Sequence, residues 1–175
     1  MKKVILVWLM LLSLGLVAAA QGGEKRGPST PAERERFTAI VHKLEQTPLD
    51  KGLKKDREWA LVWLIQVPDV SVNVCLAPLG DRKEEKYKYE PEIFGQFTLS
   101  MGAFLIEHPE KAKDQNAQFL AGVESALKAY KAILESKPDA KSKGLDDLLE
   151  KQSQGKLADF VRDASAKGCT TRLSK

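Results

Sequence analysis

The chain has 175 residues, of which 43% are hydrophobic and 30% are charged, and its formal net charge is +4. This length suits one domain and allows a sizeable hydrophobic core. Because 28 basic residues stand against 24 acidic ones, the charge gives no support to a nucleic-acid partner or to an anionic membrane surface.

The N-terminus has the layout of a cleavable secretory signal peptide. Lys2 and Lys3 precede an apolar run over residues 4–17, and residues 18–20 are alanines, the small residues typical of a cleavage site. The run is shorter than the roughly 20 residues of a membrane span, although an uncleaved anchor is the alternative. We therefore expect residues 1–20 to be removed and the protein to be exported to the periplasm or the medium, with no membrane span left.

A short leader is predicted between the signal peptide and the folded domain. Cleavage before Gln21 would remove Lys2 and Lys3 and leave 26 basic against 24 acidic residues, a net charge of +2. Residues 21–29 are rich in glycine, proline and charge and offer little to bury, so we expect them to be disordered. One helical domain over residues 30–175 follows.

The first helix is predicted to begin at Thr30. Thr30 and Glu33 form a capping box, and Pro31 lies at the first helical position. An apolar stripe follows at helical spacing and ends before Thr47-Pro48. The stripe consists of Phe37, Ile40, Val41 and Leu44.

The next segment, residues 55–67, is apolar on nearly every face. Such a helix belongs at the centre of a bundle. A buried strand is the alternative, because short apolar runs fit both structures. Pro68 ends the segment in either case.

Residues 70–74 alternate valine with polar residues, which alone is typical of a strand. The mature chain offers no other convincing strand, and an unpaired strand leaves its backbone groups without partners. Apolar residues of this stretch also share a helical face, and Asp69 could cap such a helix. We therefore predict a helix over residues 70–83, with a strand at residues 70–76 as the alternative.

Residues 81–90 are highly charged and predict an exposed connection. Tyr87 and Tyr89 alternate there with Lys86 and Lys88. Tyrosine is enriched at interface hot spots, so these two residues are candidate partner-binding residues. The alternative is a pair of amphipathic tyrosines on the rim of the core.

The second half of the chain predicts four more helices with short connections. The first runs from Pro91 to Glu107, and the next begins directly at Pro109. Gly95 and Gly102 predict a close approach of another helix, since glycine costs a helix about 1 kcal/mol. Gly168 is placed as the cap at the end of the last helix. The apolar stripes of the last three helices are Leu120/Val123/Leu127/Tyr130/Leu134, Leu145/Leu148/Leu149 and Leu157/Phe160/Val161/Ala164.

The sequence thus predicts an all-α fold, a single helical domain of about six to seven helices with one disulfide. Cys75 and Cys169 are the two cysteines, and an exported protein with an even number most often pairs them. Closing a loop of about 100 residues stabilises a fold by roughly 4–5 kcal/mol in the chain-entropy picture. Free thiols and a metal pair are the alternatives.

Several segments resemble a group of small exported bacterial helical proteins of unknown function. The resemblance covers roughly residues 56–169 and implies export and a helical fold, but no activity. The segments that carry it are residues 58–66, 104–112, 120–124 and 154–159, together with the terminal cysteine.

Chemistry-bearing residues are sparse. His108 lies beside Glu107 and Glu110, which could make a general base oriented by a carboxylate, although a histidine capping a helix end is the alternative. His42 and Glu45 are three residues apart, a spacing that could share a metal, but no further inward carboxylates accompany them. No glycine-flanked serine or phosphate-binding loop is present. We therefore expect no metal and no cofactor.

The function predicted from the sequence is that of an exported, non-enzymatic helical protein that binds another protein or a small apolar ligand. The alternative is a small hydrolase or metal-dependent enzyme with its site near His108. The position of His108, in a cleft or on a flat surface, discriminates between the two.

Overall fold

A computed structural model describes residues 26–80 and 86–169 of the chain. Within these residues the protein is all-α, with one disulfide between Cys75 and Cys169, as predicted. Three short 3₁₀ turns lie between the helices, at Lys51–Leu53, Ala77–Leu79 and Pro109–Lys111. The described ranges contain six α-helices, which are α1 (Pro31–Gln46), α2 (Lys54–Gln66), α3 (Glu90–Glu107), α4 (Gln115–Ser136), α5 (Lys143–Ser153) and α6 (Leu157–Gly168).

Helix α1 begins as predicted. The side chain of Thr30 accepts a hydrogen bond from the backbone N–H of Glu33, and the Glu33 carboxylate accepts one from the Thr30 backbone. The hydrogen bond from that backbone N–H lowers the pKa of Glu33 by more than desolvation raises it, so the pKa lies below its usual range. The predicted apolar stripe is buried.

The residues just before α1 make specific contacts. Ser29 donates from its backbone N–H and from its hydroxyl to the two oxygens of Asp69, each at 2.8 Å. Arg26 donates to the Trp63 carbonyl oxygen at 3.4 Å and pairs with Glu33. The last four residues of the predicted leader therefore lie against the domain, whereas residues 21–25 and the predicted signal peptide lie outside the described residues.

Two hydrophobic clusters form the core, and α3 contributes to both. One cluster joins α1 and α2 to Leu99 and Ala103 of α3. The other joins α3 to α4, α5 and α6 around the fully buried Tyr130. Helix α3 and α4 share the most extensive contact. They are therefore the central pair of the bundle.

The prediction that residues 55–67 form the central helix is wrong in its placement. The segment is helical, but α2 lies at the periphery and buries Ala60, Trp63 and Leu64 only. Val62 is 51% exposed and Ile65 is 82% exposed. Helices α3 and α4 are longer than α2 and form the cluster around Tyr130, to which α2 does not contribute. Helix α2 therefore packs against the bundle on one side and faces solvent on the other.

Residues 70–76 are neither the predicted helix nor a strand; they have no regular secondary structure and lead into the turn Ala77–Leu79. The Asp69 carboxylate, proposed as a helix cap, instead accepts hydrogen bonds from Ser29 and from Arg34 at 2.7 Å. Most of the segment is exposed, so water can satisfy backbone groups that a strand ladder would otherwise need. Residues 81–83 of the predicted helix lie outside the described part of the chain.

Two glycines allow close packing in the core. A Cβ atom on Gly102 would lie 2.9 Å from Leu64 Cδ1, so this residue permits the predicted close approach. A Cβ atom on Gly122 of α4 would lie 2.8 Å from Phe97 Cδ2 of α3. Gly95, the other predicted contact, has nothing within 4 Å of a Cβ position.

Helix α4 begins later than predicted. Pro109 starts a 3₁₀ turn, and the helix begins at Gln115 after the Asp114 side chain accepts a hydrogen bond from Ala117 N–H at 3.0 Å. None of the helices in the described ranges is both long enough and apolar enough to cross a membrane.

Candidate functional site

A cleft of about 580 Å³ lies where the segment before α3 meets the connection between α4 and α5. This volume is within the range of small-molecule sites. Its walls come from two stretches of chain, residues 86–89 and residues 136–141. The cleft contains both tyrosines that the sequence singled out.

Tyr130 fixes one wall of the cleft. Its buried hydroxyl accepts a hydrogen bond from the backbone N–H of Ser142 at 2.9 Å and donates to Asp146 at 2.8 Å. The backbone N–H of Lys137 caps α4 by donating to Ile133, at 2.7 Å. Because both ends of the connection are held in this way, residues 137–141 form a defined surface rather than a loose loop.

Tyr87 and Tyr89 play different parts in the other wall. Tyr87 is only 8% exposed, and its ring packs edge-on against Tyr130 at 6.1 Å between centroids. The prediction of an exposed connection is therefore wrong at Tyr87, because this ring is buried in the hydrophobic core. Tyr89 is half-buried and lies 5.8 Å from Tyr87, so it presents part of its ring to the cleft.

The cleft is strongly basic. Four lysines and one aspartate line it, and the lysines are exposed. Lys88 Nζ lies 5.4 Å above the Tyr89 ring, a cation–π distance. Within residues 26–80 and 86–169, none of the four lysines has a carboxylate within ion-pair distance. The lysines are Lys86, Lys88, Lys137 and Lys141.

The residues of the alternative site near His108 are only partly brought together. His108 is about half exposed, and its Nδ1 lies 3.6 Å from Glu110 Oε1. Glu107 turns away from it, and its carboxylate contacts His42 Nε2 at 2.7 Å. The His108 ring packs at a tilt against Phe104, and it lines neither this cleft nor the groove described next.

A second, smaller concavity of about 150 Å³ lies between α1, α3 and α4, and the sequence did not predict it. Ser125 donates to Glu45, and Gln96 donates to Ser125 at 2.8 Å and to the Val41 carbonyl at 3.1 Å. Lys128 Nζ lies 3.3 Å from the other Glu45 oxygen. These groups satisfy one another, so the network joins three helices and leaves little free to bind a ligand.

Within the described ranges, no three histidine, cysteine, aspartate or glutamate side chains are grouped so that they could hold a metal ion. His42 and Glu45 do not meet at one point, because His42 pairs with Glu107 and Glu45 with Ser125 and Lys128. No family model matches the chain, and no curated protein or solved structure is significantly similar to it. The resemblance to small exported bacterial helical proteins stays a prediction.

The sequence signal for the cleft was incomplete. Alternating lysine and tyrosine at residues 86–89 pointed to one wall. The other wall follows the Lys137-Pro138 helix end, which reads as an ordinary connection in the sequence. The packing of Tyr87 against Tyr130, two residues far apart in the chain, brings the two stretches together.

Proposed function

We propose that the protein is an exported, non-enzymatic binding domain whose ligand occupies the cleft between residues 86–89 and 136–141. The single observation that carries this proposal is a cleft of ligand size lined by lysines that no described carboxylate neutralises. Ligand sites combine a concave surface with a few converging polar groups. Here Tyr89 supplies an aromatic surface and the lysines supply charge.

The absence of an assembled reactive group favours binding over catalysis in the described part of the chain. The lysines are exposed, and the cleft contains no histidine, cysteine or pair of carboxylates that could act as nucleophile, acid and base. A basic lining also suits an anionic ligand better than the purely apolar ligand considered from sequence. The proposal therefore keeps the binding function and changes the chemistry of the ligand.

Export is the second part of the proposal. The N-terminal signal pattern motivates it, and a disulfide is compatible with an oxidising compartment. The expected mature N-terminus is Gln21. The intact mass of the protein recovered from the periplasm or medium tests this, and a chain that retains residues 1–20 would contradict it.

Native mass spectrometry of the exported protein tests the site. We expect the wild-type protein to retain a non-covalently bound small molecule and Tyr89→Ala to lose it. Phe94→Ala is a matched control, because Phe94 is an exposed aromatic of α3 that does not line the cleft. Equal retention by both variants would contradict the proposed site, and so would the lack of any bound mass in all three proteins together with a failure of added anions to bind.

A further inference from the structure

We infer that the cleft binds a small organic molecule that carries two or more phosphate or carboxylate groups. This inference rests on the proposed function and specifies the ligand class. It follows from three features of the cleft: its charge, its size and its one accessible aromatic ring.

The first feature is positive charge that no carboxylate of residues 26–80 or 86–169 pairs with. Four ammonium groups and one carboxylate, that of Asp139, line one concave surface, and no ion pair among the described residues offsets the excess. Like charges gathered in this way repel one another, and a concave surface concentrates their field. A multivalent anion would relieve that repulsion.

Helix electrostatics explain only part of this arrangement. Lys137 and Lys141 follow the C-terminus of α4, where positive charge is favourable against the helix dipole. Lys86 and Lys88 come from a different stretch, just before the N-terminus of α3, where positive charge is unfavourable. The helix dipole therefore does not account for Lys86 and Lys88 at this cleft, whereas an anionic ligand would be stabilised by them.

The groove between α1, α3 and α4 provides a comparison within the same molecule. That groove also contains a lysine, Lys128, but Glu45 lies 3.3 Å from its Nζ. Its lysine is therefore paired within the fold, and its volume is about 150 Å³. The lysine cleft has about 580 Å³ and lysines without an ion pair to any described residue, so of these two sites it has the room and the positive charge for an anionic ligand.

The size and the aromatic ring narrow the class further. A volume of about 580 Å³ fits a small molecule and not a folded protein surface. The half-buried Tyr89 presents a ring beside the lysines, on which a flat or apolar part of the ligand can lie. Lysine recognises the negative charge that phosphate and carboxylate groups share. The titrations described below distinguish a phosphate ligand from a carboxylate ligand.

Isothermal titration calorimetry of the wild-type protein with inorganic pyrophosphate, citrate and sucrose tests the inference at constant ionic strength. We expect saturable binding of pyrophosphate or citrate with one site per chain, and none of sucrose. Each of Lys88→Gln and Lys137→Gln should weaken binding about two- to fivefold, as for an exposed ion pair, and their combination should weaken it further. Lys55→Gln on α2 is the matched control and should stay within twofold of wild type. Raising the salt should weaken binding through screening.

Two outcomes would overturn the inference in different ways. If neither anion binds, or if Lys55→Gln weakens binding as much as the cleft variants, the ligand is not a small polyanion held here. If the protein nevertheless retains a neutral molecule that Tyr89→Ala loses, the ligand class is wrong and the proposed binding function stands. If no molecule is retained and no anion binds, both proposals fail. All three lysines are exposed, and thermal denaturation of the variants verifies that they fold.

Discussion

Gly168 packs directly against Ala77: a Cβ atom on Gly168 would lie 2.5 Å from the Cβ atom of Ala77. The glycine is the last residue of α6 and does not have the positive φ of a helix cap, so its predicted capping role is wrong. The next residue, Cys169, is bonded to Cys75, and their Cα atoms are 5.7 Å apart. Glycine is therefore required here for the close approach of α6 to the turn at Ala77–Leu79.

Gly168→Ala should destabilise the protein by about 1–3 kcal/mol, because the new methyl group meets a Cβ atom that cannot rotate away. Denaturant unfolding under oxidising conditions measures the change in the free energy of unfolding. Lys167→Ala is the control, since Lys167 is exposed in the same turn of α6. A loss no larger than that of the control would show that the backbone adjusts without cost.

Reduction of the disulfide should loosen α6 before the rest of the fold. The bond spans 94 residues and fastens a short helix whose buried residues are Leu157, Val161 and Ser165. Trp63 belongs to the other hydrophobic cluster, which does not contain the cysteines. Hydrogen exchange should therefore show lost protection over residues 157–168 and retained protection around Trp63. Uniform loss would instead mean that the bond holds the whole fold, and unchanged exchange in α6 would mean that packing alone holds it.

Much of the helical framework could be predicted from sequence because the relevant signals are local. The capping box at Thr30 and the stripe through Val123, Leu127 and Tyr130 depend on residues within a few turns of one another. The pairing of Cys75 with Cys169 followed because no other pair exists.

What could not be predicted depends on contacts between distant segments. The apolar composition of α2 did not reveal that Ile65 faces solvent, because burial depends on which helices are long enough to form the centre. The Glu45–Ser125 contact joins residues 80 apart, and neither residue is distinctive in sequence. The cleft has the same origin, since one of its walls depends on Tyr87 packing against Tyr130.

Gly122→Ala and Gly95→Ala should have opposite effects. A methyl group at residue 122 would lie within 3.0 Å of the fully buried Phe97 and Met101, so we expect a loss of about 1–2 kcal/mol after the gain in helix propensity. A methyl group at residue 95 meets nothing within 4 Å, so helix propensity alone should stabilise that variant by about 0.5–1 kcal/mol. Denaturant midpoints compare the two. Stabilisation by Gly122→Ala would contradict a tight contact between α3 and α4.

Ser125→Ala should cost about 1–3 kcal/mol. The hydroxyl group links the buried Gln96 amide to the Glu45 carboxylate, and its removal leaves both without this partner. Ser153→Ala is the control, because the Ser153 hydroxyl is exposed and donates only to a carbonyl of its own helix. Urea unfolding of both variants gives the comparison. Equal stability would show that water replaces Ser125 in the network.

Asp69 should make part of the free energy of unfolding depend on pH in the acidic range. Burial raises its pKa, but hydrogen bonds from Ser29 and Arg34 outweigh this and lower the pKa from 3.8 to about 2. Between these values the unfolded chain binds more protons than the folded one, so the stabilisation present at neutral pH disappears as the pH falls from about 4 to 2. Asp69→Asn should therefore cost about 1 kcal/mol or less at pH 7, and the difference from wild type should vanish near pH 2.

Asp147→Asn, at an exposed carboxylate without an ion pair among the described residues, is the control. Unfolding free energies measured from pH 2 to 7 test this, and a difference that persists unchanged at pH 2 would show that charge at residue 69 does not hold the N-terminal contact.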